Sequence, residues 1–117
     1  MNWNGIDRRR FVRVKLPCEI IITLPIEHII SSHTEDISAG GLRVLLEEKI
    51  LSGSEVDLDI YGIKDAPLIC RGRVAWVFER KRTLAKRIFD TGIEFCAIQE
   101  NDVQAIQEFV STATKKK

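Results

Sequence analysis

Apolar residues recur along this chain in short alternating runs, a period of two that belongs to strands rather than helices. Residues 12–16 form a first run, stopped by Pro17. Residues 18–24, rich in isoleucine, form the next, stopped by Pro25. Pro17 alone separates these two, so they also fit one strand bent at that proline. Residues 28–36 predict a further strand with Ser31, Ser32, His33 and Thr34 inside it. Gly40 and Gly41 break the chain, and residues 42–46 resume it. Residues 47–54 make a charged connector that turns at Gly53. The cleanest alternation lies in 55–60, with Val56, Leu58 and Ile60 inward and Glu55, Asp57 and Asp59 outward. Tyr61-Gly62 ends it. Residues 68–78 and 88–97 predict two more strands.

Only the C-terminal part follows a helical period. Val103, Ile106, Phe109 and Val110 fall on one stripe. Glu100 or Asn101 is positioned to cap that helix, and Asp102 in its first turn complements the dipole. Six or seven short strands with one amphipathic helix predict a single all-β domain, a small barrel plugged or flanked by the helix.

The chain has 117 residues, long enough to bury a core without disulfides or metal. Apolar residues make up 44% and charged residues 30%, and the net charge is +1. That balance argues against binding a bulk polyanion but allows a local basic patch facing a small anion. Cys18, Cys70 and Cys96 are odd in number, widely spaced and set in apolar runs, which reads as reduced, buried thiols. There is no C-x-x-C pair, and His28 and His33 lie near no cysteine, so no metal site is expected. No apolar run reaches the ~20 residues of a membrane helix. Met1-Asn2-Trp3-Asn4-Gly5 does not resemble a secretory signal, so a cytoplasmic location is expected.

Two segments carry candidate chemistry. Arg8-Arg9-Arg10-Phe11-Val12-Arg13 offers guanidinium forks that match phosphate oxygens or the O6/N7 edge of guanine. Asp36-Ile37-Ser38-Ala39-Gly40-Gly41 offers a carboxylate that can accept from guanine N–H groups, a hydroxyl, and glycines that let backbone approach a ligand. Read singly, the first is a solvated basic strand start and the second an Asx or Ser turn. A second basic cluster, Arg80-Lys81-Arg82 with Lys86-Arg87, reads as a solvated hairpin tip, a docking surface or a nucleic-acid contact. Trp76 and Phe78 share a register opposite to Val77, as core or barrel-flank residues. No catalytic triad or phosphate-cradling G-x-x-x-x-G-K is present, so an enzyme is not expected.

In this order, on this strand pattern, the motifs R-x-x-x-R (Arg9 to Arg13) and [DN]-x-S-x-x-G (Asp36 to Gly41) resemble the PilZ domain family. The Val74-Ala75-Trp76-Val77 strand, the Thr91-Gly92-Ile93-Glu94-Phe95 segment and the closing helix extend the resemblance over nearly the whole chain. It implies a six-stranded antiparallel β-barrel with one C-terminal α-helix that binds cyclic di-GMP and needs no cofactor. Residues 1–114 would be one domain: 1–13 a ligand-binding loop, 12–97 the barrel and 101–112 the helix, followed by a lysine tail at 115–117.

By position, Arg9 and Arg13 would meet the phosphates and a guanine Hoogsteen edge. Asp36 and Ser38 would meet the guanine Watson–Crick and amino edge. Gly40 and Gly41 would form the turn beside it, and Arg8 would influence whether one ligand or a stacked pair binds. The expected role is an adaptor whose arginine loop closes on the ligand and alters a surface for a downstream protein in motility, exopolysaccharide or biofilm control. A monomer or weak homodimer is expected, without membrane insertion. Two alternatives stay open: a ligand-free PilZ-like interaction module, and a small basic barrel binding single-stranded nucleic acid.

Overall fold

The computed structural model describes residues 17–82 and 86–115. The expected strand at 12–16, and with it Arg8, Arg9 and Arg13, lies outside the described residues. The barrel is built of six strands: β1 (Glu19–Thr23), β2 (Ile29–Ser38), β3 (Gly41–Leu46), β4 (Glu55–Ile60), β5 (Leu68–Arg82) and β6 (Arg87–Ala97). Among the described residues one helix, α1 (Glu100–Lys115), follows the barrel. Every pairing is antiparallel, and the order β1-β2-β3-β6-β5-β4 closes into a barrel because β1 also pairs with β4. Among the described residues closure leaves no open sheet edge.

The alternation that identifies the strands also fills the interior. Ile20 faces Ile60 and Ile22 faces Leu58 across the β1–β4 seam, all fully buried. Ile37, Leu42, Val44, Val56, Leu68, Val74 and Ile93 are buried with them. Each such side chain contributes about 1.5–3 kcal/mol relative to exposure. Ile106 and Val110 of α1 join the same cluster, so the helix covers core rather than solvent. Its first turn is tied down by Lys64, whose Nζ donates to Asp102 Oδ1 at 2.7 Å. Gln99, not Glu100 or Asn101, precedes the helix. Its carbonyl accepts from the N–H groups of Asp102 and Val103 at 3.0 Å.

Several expectations are corrected. β5 runs to Arg82, so Arg80, Lys81 and Arg82 belong to a strand and are not the tip of the hairpin. Arg80 reaches back to Asp90 and Arg87 grips Glu79, which extends the ladder past the apolar run. Cys18 and Cys70 are buried, but Cys96 is exposed. It is the residue skipped where the β5–β6 register shifts between Arg71 and Gly72. Gly40 and Gly41 do not use left-handed backbone. Among the described glycines only Gly53 and Gly62 do.

Candidate functional site

The site begins with a bulge. In β2 the register shifts between Thr34 and Asp36, leaving Glu35 as the extra residue. An extra residue exchanges the faces of every later position in its strand. Thr34 pairs with Val44 inside the barrel, whereas Asp36 pairs with Arg43 on the outer face. Ile37 and Leu42 then point inward, and Ser38 and Gly41 pair outward. The bulge thereby puts Asp36 and Ser38 together on the outer wall of β2 and β3.

Ser38 and Gly41 are joined by the two-residue turn Ala39-Gly40. The Ser38 hydroxyl closes it, accepting from the Gly40 N–H at 3.2 Å and donating to the Gly41 carbonyl at 3.4 Å. The Gly40 carbonyl accepts from the Phe95 N–H at 3.0 Å, which locks the turn to β6. Ser38 is fully buried and Asp36 is 8% exposed.

Arg43 lies beside Asp36 and is held from the other side. Its Nε and Nη2 donate to both oxygens of Asp90 at 2.8 and 3.1 Å. Its Nη1 stands 3.5 Å from Asp36 Oδ2. The bond to Asp90 is the main reason the guanidinium is stabilised in its charged form, with Asp36 adding to it. Arg80 adds a looser contact to Asp90 at 3.5 Å. Asp36, Arg43, Asp90 and Arg80 therefore alternate in sign across β2, β3, β6 and β5.

The outer wall continues past Arg43. A second bulge, at Ala75, flips β5 so that Val74 points inward while Trp76 pairs outward with Gly92. The indole lies flat on Gly92: a Cβ there would come within 2.2 Å of Trp76 Cε2. Trp76 and Phe78 meet in a tilted contact, ring centroids 5.6 Å apart and planes inclined at 37°. Both are flank residues, and Phe78 is 65% exposed. One row of the wall thus reads Asp36, Arg43, Gly92, Trp76, and the next reads Ser38, Gly41, Glu94, Arg73.

The structure brings Asp36, Ser38, Gly40 and Gly41 together. Arg8, Arg9 and Arg13 fall outside the described residues. Cys18 stands opposite Thr34, linked through Thr34 N–H to Cys18 O and Cys18 N–H to Thr34 Oγ1, each 2.9 Å. Sequence reasoning missed Arg43, Asp90, Gly92 and Glu94. The hints were polar or glycine residues at alternate positions of strands whose other face is apolar and, for Gly92 and Glu94, their place in the family-like segment 91–95.

Other titratable groups lie apart. His28 Nε2 meets Glu48 Oε1 at 2.7 Å, and His33 is exposed. Among the described residues no three His, Cys, Asp or Glu side chains are placed to hold a metal ion.

Comparison with known proteins bears on this arrangement. A search of curated proteins gave no match. The Bacillus subtilis inhibitor of motility MotI/DgrA is similar in structure, with TM-score 0.78 and 24% identity over 94% of this chain and 52% of that one. The Escherichia coli YcgR PilZ domain, solved with c-di-GMP, matches with TM-score 0.73 and 16% identity over 93% of each chain. The K. pneumonia MrkH–c-di-GMP complex matches with TM-score 0.69 and 17% identity over 94% of this chain and 56% of that one. The chain thus spans about half the length of MotI/DgrA and MrkH. At these identities the likeness concerns the fold. The sequence itself matches the PilZ domain model over residues 7–112, and with that extent of agreement the chain belongs to the PilZ domain family.

Proposed function

We propose that the chain is a cyclic di-GMP receptor that acts by binding rather than by catalysis. Asp36 and Ser38 take the donors of one guanine. Arg9 and Arg13 fork onto the phosphates and the Hoogsteen edge, and Gly40 and Gly41 let the ligand lie against the turn. Arg8, one residue earlier, governs whether a second ligand stacks on the first. The observation that carries this reading is the bulge at Glu35. It turns a carboxylate and a hydroxyl onto one outer wall, beside the Ala39-Gly40 turn. Support also comes from the YcgR PilZ domain and MrkH, which were solved with the same ligand.

Ligand binding would close the arginine segment on the ligand and so change the surface shown to a downstream protein in the cytoplasm. Motility control is the output favoured by the likeness to MotI/DgrA; exopolysaccharide and biofilm control are the other candidates. The test is a calorimetric titration of Arg9→Ala, Arg13→Ala and Asp36→Asn beside the parent chain. Each loses a charge-assisted contact of about 1.5–3 kcal/mol, roughly ten- to a hundredfold in affinity, with the fold intact in the two arginine variants. Parent-like affinity in either arginine variant would remove that residue from the site.

A further inference from the structure

A buried acceptor stands beside the turn without a donor. Glu94 Oε2 is a buried side-chain oxygen with no hydrogen-bond partner, singular in this among the described residues. The other oxygen, Oε1, meets only Arg73 Nη1, at 3.9 Å, while Arg73 gives its better contact, 3.1 Å from Nη2, to Glu55. A buried polar atom left unsatisfied is costly and calls for an explanation.

Its position supplies one. Ile93 points into the core, so Glu94 points outward, and it pairs directly with Gly41. The N–H of the next residue, Phe95, binds the Gly40 carbonyl. Glu94 therefore lies in the row of Ser38 and Gly41, on the far side of β3 from Asp36. Arg73, 44% exposed, can turn away from it. A carboxylate accepts and does not donate. It repels phosphate but matches the adjacent N1–H and 2-amino donors of guanine, where adenine presents an acceptor at N1.

We infer that Glu94 is a further ligand-binding residue, the second carboxylate of the site, which takes the N–H donors of a guanine and selects that base; the inference rests on the cyclic di-GMP reading above. Such a role separates affinity from stability. Glu94→Gln keeps the shape but places an amide where an acceptor pair is needed. It weakens cyclic di-GMP roughly ten- to a hundredfold without lowering the melting temperature, because it removes a poorly compensated buried carboxylate. Glu94→Asp, shorter by one methylene, also loses affinity.

The experiment titrates the full chain and both variants with cyclic di-GMP and with cyclic di-IMP, which lacks the 2-amino group, and records melting of each. A penalty for cyclic di-IMP that shrinks in Glu94→Gln, with melting maintained, supports the contact. Parent-like binding by both variants overturns it. So does a parallel fall of affinity and melting temperature, or an equal loss for both ligands, since these mark a structural residue. If the parent chain binds cyclic di-GMP and only these signatures fail, the receptor reading stands without Glu94. If the parent chain does not bind, both fall.

Discussion

Replacing Asp90 by Asn tests the charge chain on which the outer wall depends. Asp90 accepts two hydrogen bonds from Arg43 at 2.8 and 3.1 Å, and the two side chains are only 12% and 24% exposed. Surface ion pairs contribute about 0–1 kcal/mol, and breaking a fully buried one costs about 3–5. This pair is bidentate and mostly shielded, so a loss of about 2–3 kcal/mol is expected. At this chain length that lowers the melting temperature by roughly 6–15 °C. Arg80→Ala is the internal control. Its contact to Asp90 is single, 3.5 Å long and made by a side chain 54% exposed, so it costs no more than about 0.5 kcal/mol. Urea unfolding of Asp90→Asn, Arg43→Met and the double variant gives the coupling energy, provided the slope with urea stays constant. A coupling of roughly 1.5–3 kcal/mol is expected. A value near zero, or an equal effect of Arg80→Ala, would refute the reasoning.

The packing leads to four further expected outcomes. Gly92→Ala forces the Trp76 indole outward, since the added Cβ would come within 2.2 Å of it; tryptophan emission shifts to longer wavelength, and an unchanged spectrum would contradict the stacked geometry. Lys64→Ala leaves Asp102, with its side chain 8% exposed, without its 2.7 Å partner. That destabilises by about 1–3 kcal/mol and frays the start of α1, measurable by hydrogen exchange. Thiol labelling of the native chain modifies Cys96 alone, and Cys18 and Cys70 react only after unfolding. Burial pushes the Cys70 thiol up to about 12. The unfolded chain therefore releases that proton first, and stability falls as pH rises from about 9 towards 12. Cys70→Ala should flatten this fall.

The barrel was legible where alternation was simple. Val56, Leu58 and Ile60 mark β4 to the residue, and Ile20 and Ile22 mark the inward face of β1. Legibility failed at the bulges. Glu35 and Ala75 are ordinary strand residues in sequence, yet each reverses the faces of the residues after it. For that reason Val74 and Trp76 share a parity but not an environment. The far end of β5 was hidden because its pairing rests on charges, with Arg87 on Glu79 and Arg80 on Asp90, instead of an apolar stripe. In the site, Asp36 and Ser38 were legible as a motif. Arg43, Asp90 and Glu94 were not, because partners 47 or more residues apart meet only once the strand order is known.

The most direct test of the central claim is a calorimetric titration of the full chain with cyclic di-GMP, with GTP and cyclic GMP as controls. The account predicts selective, saturable binding, with a stoichiometry of one or of two stacked ligands that changes when Arg8 is replaced. It also predicts a ligand-dependent rise in melting temperature. Neither heat nor a thermal shift at high ligand concentration would contradict it.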